Sequence, residues 1–390
     1  MKIGSACLTL LWIMFLKKIN LLNFKNYPEA SLELGPGVNA LVGGNGEGKT
    51  NLLDAIHYLS MCKSYFNPVD AHNIRFGEDF FVVQGLFELN GSTENVSCGL
   101  KRNQKKVFKR NQKEYERLAD HIGLLPVVMI SPTDTVLITE GSEERRKFLD
   151  SIISQFDKNY LEDLINYSRV ISQRNAYLKH AALSRSFDLD SLLIWDEQMI
   201  PLAERIHEVR IKFIESLLPI FKEYYKIISG EKEEVDIRYD SQLLKGDLRE
   251  LLNSSREKDR ILQFTGVGVH KDDLTFLISE VPVRRYASQG QQKSFLIALK
   301  LAQYNFISKE KSEAPILLLD DIFDKLDENR VTRLMHLVCQ DDFGQLIITD
   351  SHLERLNNIF IGLGIDLPLF HVDSKQIQKS SVERLSTIKD

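Results

Sequence analysis

The sequence predicts an α/β fold in which a mixed sheet with an antiparallel β subdomain is interrupted by an inserted helical domain. Three observations carry this. Short alternating strands with one helix among them fill residues 14–100. Two long segments with apolar residues three and four apart follow from Glu143, and strand and helix then alternate toward the C-terminus. With 390 residues, 43% hydrophobic and 27% charged, the chain is long enough for two or three domains and a sizeable core.

The elements follow in order. The start contains "ACLTLLWIMFL", which could pass for the core of a signal peptide, but one Lys precedes it, no small-residue cleavage site follows, and it is too short to span a bilayer. Residues 1–13 are therefore expected to be a dispensable extension or a start-site artefact, with Met14 opening the domain. The segments "KKINLLNF", "ASLEL", "VNALVG", "FFVVQGLFEL" and "ENVSCGL" read as strands, and "KTNLLDAIHYLSMC" as a helix inserted after the third. The helical segments "EERRKFLD…KHAAL" and "DSLLIWDE…YYKII" have almost no Gly or Pro inside and are joined by the polar "SRSFDLD". Strands then return around "FTGVGVHKDDLTFLI" and "VPVRRYA", followed by a helix, the strand "APILLLDDIF", the helix "ENRVTRLMHLVCQ" and the strand "GQLIITD"; this alternation implies a parallel sheet. The expected division is one α/β domain in two parts, 14–139 and 266–390, around a helical domain at 140–265.

Charge and cysteines narrow the class. The net charge of −5 gives no global reason for a nucleic-acid partner, so any such partner has to meet a local basic patch. Cys7, Cys62, Cys98 and Cys339 form no CxxC, and the histidines show no metal-ligand spacing with them; a reducing cytoplasmic compartment fits, with Cys62 and Cys98 expected to fill core space. No apolar run reaches membrane length.

Chemistry concentrates in three places. "GGNGEGKT" (Gly43, Gly44, Asn45, Gly46, Glu47, Gly48, Lys49, Thr50) matches GxxxxGK[ST] between a strand and a helix, the context a phosphate loop needs. Its backbone amides and the helix start suit phosphate oxygens, Lys49 suits the β and γ phosphates of ATP, and the Thr50 hydroxyl suits Mg²⁺. "ILLLDDIFDKLD" is an apolar strand ending in two acids, at the end where open α/β sheets bind ligands. Asp320 is expected to hold Mg²⁺ and Asp321 to orient or deprotonate the attacking water. "YASQGQQKSF" puts Ser288, Gln289, Gly290 and Gln291 at the mouth of a helix, as a variant of the ABC signature that caps a γ-phosphate held by a second subunit; the plainer reading is an N-cap at Ser288.

Other features stay open from the residues alone. "KRNQKKVFKRNQK" reads as a basic hairpin around Phe108, either solvated or touching phosphates. Arg145 and Arg146 could meet DNA or the acids of a partner surface, surface salt bridges being the plainer reading, and His270 reads as structural.

Together with "LLNFKNY", "SPTDTVLITEGSEERRKFLD", "QRNAYLK" and "GVHKDDLTF", these motifs resemble the RecF family, bacterial DNA replication and repair proteins of the ABC/SMC-like ATPase class, from about Phe15 to Asp350. The resemblance implies an ABC-type ATPase head and cytoplasmic, ATP-dependent DNA binding. It further implies a homodimer formed on ATP, action at single-strand gaps or single-strand to double-strand junctions with RecO and RecR, recombinase loading and support of the SOS response. Carried over, the phosphate loop is residues 43–50, the Mg²⁺-side acid Asp320, the hydrolytic acid Asp321 and the signature residues 288–291, with slow, DNA-stimulated hydrolysis of ATP expected. Three positions depart from the family's pattern: Phe66 stands where many relatives have arginine, Val269 where proline is usual, and Asp350 where many ABC ATPases have a switch histidine, with His352 two residues on. Two rivals remain, an ATP-binding scaffold with little hydrolysis, which the short Asp321 would suit, and a transporter's ATPase subunit, which the late position of Ser288 disfavours.

Overall fold

Alternation in the first strands sends every second side chain inward, and the result is a six-stranded antiparallel sheet. A computed structural model describes residues 14–230, 233–323, 326–339, 343–364, 368–373 and 376–380; the expectation for residues 1–13 lies outside the described residues. The chain divides into two compact units, one taking in the chain up to Asp134 and again from Leu299, the other Thr135–Ala298.

In the first unit the antiparallel sheet has the spatial order Tyr27–Glu33, Met14–Phe24, Phe80–Leu89, Ser92–Lys101, Val107–Arg110, Lys113–Glu114. A second six-stranded sheet has the order Gln376–Ser380, Leu369–Asp373, Val38–Val42, Leu346–Asp350, Ile316–Asp320, Val127–Ile130 and is parallel except for its first pair. The edge strand Val127–Ile130 has no alternation to announce it, because all four of its residues are buried. Between the sheets lies the helix Lys49–Met61. It is buried almost all round, with Tyr58 against Phe24 and Phe81 on one side and Leu41, Leu318 and Ile347 in the same core. Cys62 and Cys98 are free and buried in that core, as their apolar settings suggest.

The second unit is built on helices Ser142–Phe156, Lys158–Ser184, Leu189–Ser229 and Leu248–Leu262. The first long segment breaks at one residue: Asp157 is extended and accepts from Tyr160 N at 2.9 Å, capping a new helix. The second runs unbroken for 41 residues, about 60 Å at the α-helical rise, from its Asp188 cap to a left-handed Gly230, through Pro201 and Pro219. The helical domain was expected to close at residue 265, but the unit continues to Ala298. Strand Asp273–Ile278 pairs with Val235–Asp240, and Phe295 packs on Phe221 and Tyr225. "VPVRRYA" is strand only at Val281–Pro282; Val283–Tyr286 is one helical turn.

Buried charge fixes this unit. Arg210 is 1% exposed and bonds Asp272 and Asp150 at 2.8 Å each, the Val269 carbonyl at 2.8 Å and Tyr160 Oη at 3.0 Å. Arg174 bonds Asp196 and Asp259 at 2.6 and 2.8 Å. Arg145, for which a salt bridge is the plainer reading beside a DNA or partner contact, makes that bridge buried inside the unit with Asp273, and Arg146 donates to the Asp272 carbonyl. Removing one partner of such a pair costs about 3–5 kcal/mol, because a buried charge is left uncompensated.

His270 is structural. Its Nε2 faces the Thr265 carbonyl at 3.0 Å and its Nδ1 the Tyr167 hydroxyl at 2.9 Å, so the carbonyl fixes Nε2 as the donor and Nδ1 accepts. Burial pushes its pKa down to about 4. Below the ordinary histidine pKa the unfolded chain therefore takes up a proton that the folded one refuses, and stability present above about pH 6.5 is lost as pH falls toward 4. Urea unfolding from pH 7 to 5 should show this loss, and His270→Gln should flatten it by up to about 1.4 kcal/mol per pH unit; an unchanged slope would mean that His270 is not held neutral.

Candidate functional site

The parallel strands of the second sheet end on one edge, and two of the three predicted motifs, the glycine-rich loop and the paired acids, meet there. Val42 neighbours Asp350, Asp320 neighbours Thr349, and Leu319 neighbours Ile130. The loop after Val42 carries Gly43, Gly44, Asn45, Gly46, Glu47 and Gly48 into the helix that begins at Lys49.

Two glycines of this loop are required by geometry. Gly48 has φ +116°, and a Cβ there would lie 2.6 Å from Asn26 Nδ2 and 2.8 Å from Tyr27 Oη. A Cβ on Gly43 would lie 2.1 Å from the Val372 carbonyl oxygen. Asn26 braces the loop from below, donating to the Glu47 carbonyl at 3.1 Å and accepting from Asn51 at 2.8 Å.

The ammonium of Lys49 is folded back on the loop, donating to the carbonyls of Gly43 and Gly44 at 2.7 and 2.8 Å. Burial lowers its pKa, while Asp321, Asp320 and Asp350 pull the other way. Thr50 Oγ1 donates to Asp320 at 2.8 Å, and Thr349 Oγ1 donates to the same carboxylate at 2.9 Å. Asp320 is 3% exposed and its pKa is raised chiefly by burial. Asp321 leaves the strand in a left-handed conformation, φ +45°, with its amide donating to Thr349 Oγ1 at 3.0 Å. Its Oδ1 is buried and has no hydrogen-bond partner among the described residues.

Asp350 is fully buried and held by Arg355 through two bonds of 2.8 and 2.6 Å, while the His352 amide donates to it. His352 thus meets Asp350 through its backbone. Phe66 packs against the core, with Lys25 Nζ 5.2 Å from its ring.

The segment Ser288, Gln289, Gly290, Gln291 belongs to the other unit and opens the helix Gln289–Lys311. Ser288 and Gln291 form a capping box: Gln291 N donates to Ser288 Oγ at 3.2 Å, and Ser288 N donates to Gln291 Oε1 at 2.7 Å. The other end of the Gln291 amide donates to Glu233 at 2.7 Å. Ser288 and Gln289 are exposed.

Sequence reasoning missed several supports. Thr349 and Arg355 carry no motif and are found only through the register of the sheet. The same holds for a buried cluster in the first unit, where Lys300 bonds Tyr65 Oη at 2.8 Å and Asp134 at 3.0 Å, and Tyr65 donates to Asp134. A buried ion pair between residues so distant leaves no local pattern.

The fold and the loop-and-acid edge define an ABC-type ATPase head, and residues 15–360 match the model of the RecF/RecN/SMC N terminal domain. The Smc head domain of Pyrococcus furiosus, bound to the C-terminal domain of ScpA, shares the fold at 17% identity, TM-score 0.56, over 95% of this chain and 97% of that one. The DNA replication and repair protein RecF of Flavobacterium johnsoniae is 51% identical over 89% of this chain and 96% of its own length. That of Bacteroides thetaiotaomicron is 46% identical over 95% and 100%. A structure of the recombination mediator protein RecF-ATP in the RecFOR pathway superposes with TM-score 0.86 at 31% identity, over 96% of this chain and all of that one. The chain belongs to the RecF family.

Gly43→Ala should lower stability by about 1–3 kcal/mol, because the clash is with a backbone carbonyl that cannot rotate away. Thermal melting of the variant would read this, and an unchanged midpoint would mean that the loop and strand Leu369–Asp373 are not in this contact.

Proposed function

We propose that this chain is an ATP-dependent DNA-binding protein of recombinational repair and replication restart. The observation that carries the reading is the Thr50–Asp320 hydrogen bond, which joins the first turn of the loop helix to the end of the acidic strand. A hydroxyl and a carboxylate at one point are the hard oxygen donors that Mg²⁺ takes when phosphates supply the remainder. They fit that ion, and Thr50 and Asp320 are the residues that would hold it.

The residues Gly43, Gly44, Asn45, Gly46, Glu47, Gly48, Lys49 and Thr50 are assigned to the phosphates of ATP. When bound, Mg²⁺ offsets phosphate charge. Lys49, now on two carbonyls, is the cation assigned to the β and γ phosphates. Asp321 is assigned to the attacking water, its unpartnered Oδ1 being an open acceptor beside that edge. Hydrolysis is expected to be slow and DNA-stimulated. Ser288, Gln289, Gly290 and Gln291 are assigned to the γ-phosphate held by a second copy, giving a homodimer that forms on ATP.

Membership of the RecF family supports DNA as the partner, at single-strand gaps or junctions, with RecO and RecR in recombinase loading and the SOS response, in the cytoplasm. Among the described residues no helix is long and apolar enough to cross a membrane.

Lys49→Ala should abolish binding of a fluorescent ATP analogue. Ser288→Arg should leave that binding intact in the monomer but remove ATP-dependent dimers in sedimentation; a persisting dimer would overturn the cross-subunit role of Ser288.

A further inference from the structure

Phe76 is 97% exposed, more than any other large hydrophobic side chain among the described residues. It sits in the turn before strand Phe80–Leu89, followed by Gly77 at φ +88°. It lines an open pocket of about 730 Å³ with Lys25, His72, Arg75 and Arg102 and with Asn26 and Asn51, the pair that braces the loop. The turn is tied to the start of the basic hairpin: Arg102 N donates to the Asp79 carbonyl at 2.8 Å, and Arg102 Nε to the Glu78 carbonyl at 3.2 Å.

The hairpin sorts its cations. Lys106 pairs with Asp70 and Arg110 with Glu94, so these two are structural. Lys101, Lys105 and Lys109 are exposed and make no ion pair among the described residues, while Lys113, opposite Arg110, lies on the other face of the hairpin. Phe108, the aromatic residue within the run, is 1% exposed and packs on His121, so it offers no face to a ligand. Phe76 supplies the open aromatic face instead.

A chain of net charge −5 thus carries a local strip of unpaired lysines that ends at a protruding ring beside two arginines. An isolated ring amid cations suits a polyanion with aromatic groups better than a protein face, which would need a wider apolar patch. Stacking on a ring requires an unpaired base, and phosphates follow the lysines.

We propose that this strip binds single-stranded DNA, with one base on Phe76 and the backbone along Lys101, Lys105 and Lys109. The proposal rests on the DNA-binding reading above and specifies its surface and strand. Fluorescence anisotropy with labelled oligo-dT and a duplex of equal length, across salt concentrations, tests it on the full chain. Phe76→Ala should weaken oligo-dT binding about tenfold with an unchanged salt slope, and duplex binding much less. Lys105→Glu with Lys109→Glu should lower the salt slope by about one to two. Binding of a fluorescent ATP analogue should be unchanged in both variants.

Equal affinity of Phe76→Ala and the unsubstituted chain for oligo-dT would overturn the stacking, and equal losses for single strand and duplex would overturn the strand preference. A selective loss of the ATP analogue would assign the pocket to the nucleotide instead. Tight DNA binding untouched by either variant would overturn this surface while leaving the DNA-binding reading in place; no DNA binding by the unsubstituted chain would end both.

Discussion

One buried carboxylate holds the loop-and-acid edge of the first unit together. Asp320 ends a strand surrounded by apolar neighbours and accepts from Thr50 on the loop helix and from Thr349 on the adjacent strand. Burial favours its protonated form and is the larger effect, and these two donors act against it. The loop glycines, the back-folded Lys49 and the left-handed Asp321 are arranged around that point. Asp350, the next acid along the sheet, is neutralised separately by Arg355. The sheet can therefore collect three carboxylates on one edge without leaving all of them uncompensated.

The second unit solves a different problem. Its long helices bury Arg174 and Arg210, each surrounded by two carboxylates and further oxygen acceptors. Hydrophobic replacements of similar volume would often be as stable, so these clusters are weak evidence for raw stability. Their geometry is restrictive. Arg210 joins the helices Ser142–Phe156 and Leu189–Ser229 to the turn before strand Asp273–Ile278, and only one mutual register satisfies all its donors.

Where side chains obey a local period, the sequence was legible. The early strands, the helix after the glycine-rich loop and the long helical segments follow from spacing two, three or four, the buried strand before Asp320 from an apolar run that ends in two acids, and the loop itself from its glycines. The edge strand Val127–Ile130 was not, because a strand buried on both faces has no alternation. The break at Asp157 was missed because one extended residue hardly disturbs a helical pattern, and the unit boundary at Ala298 because it depends on the pairing of strands far apart in sequence. Arg145 and Phe108 looked like surface chemistry for a related reason: neither the partner Asp273 nor the inward side of the hairpin can be read from neighbours in the chain.

The capping box at Ser288 has a consequence for how this segment can change over time. The hydroxyl oxygen already accepts the Gln291 amide, yet its own hydrogen is uncommitted by that bond, so one atom can hold a helix end and still offer a proton outward. A residue that serves the fold and its surroundings through the same oxygen has very few substitutes. Threonine keeps both capacities on one oxygen and adds a methyl group, asparagine splits them between an accepting oxygen and a donating nitrogen, aspartate keeps only the acceptor, and alanine keeps neither. Drift at this position is therefore narrowed twice over by a single small side chain.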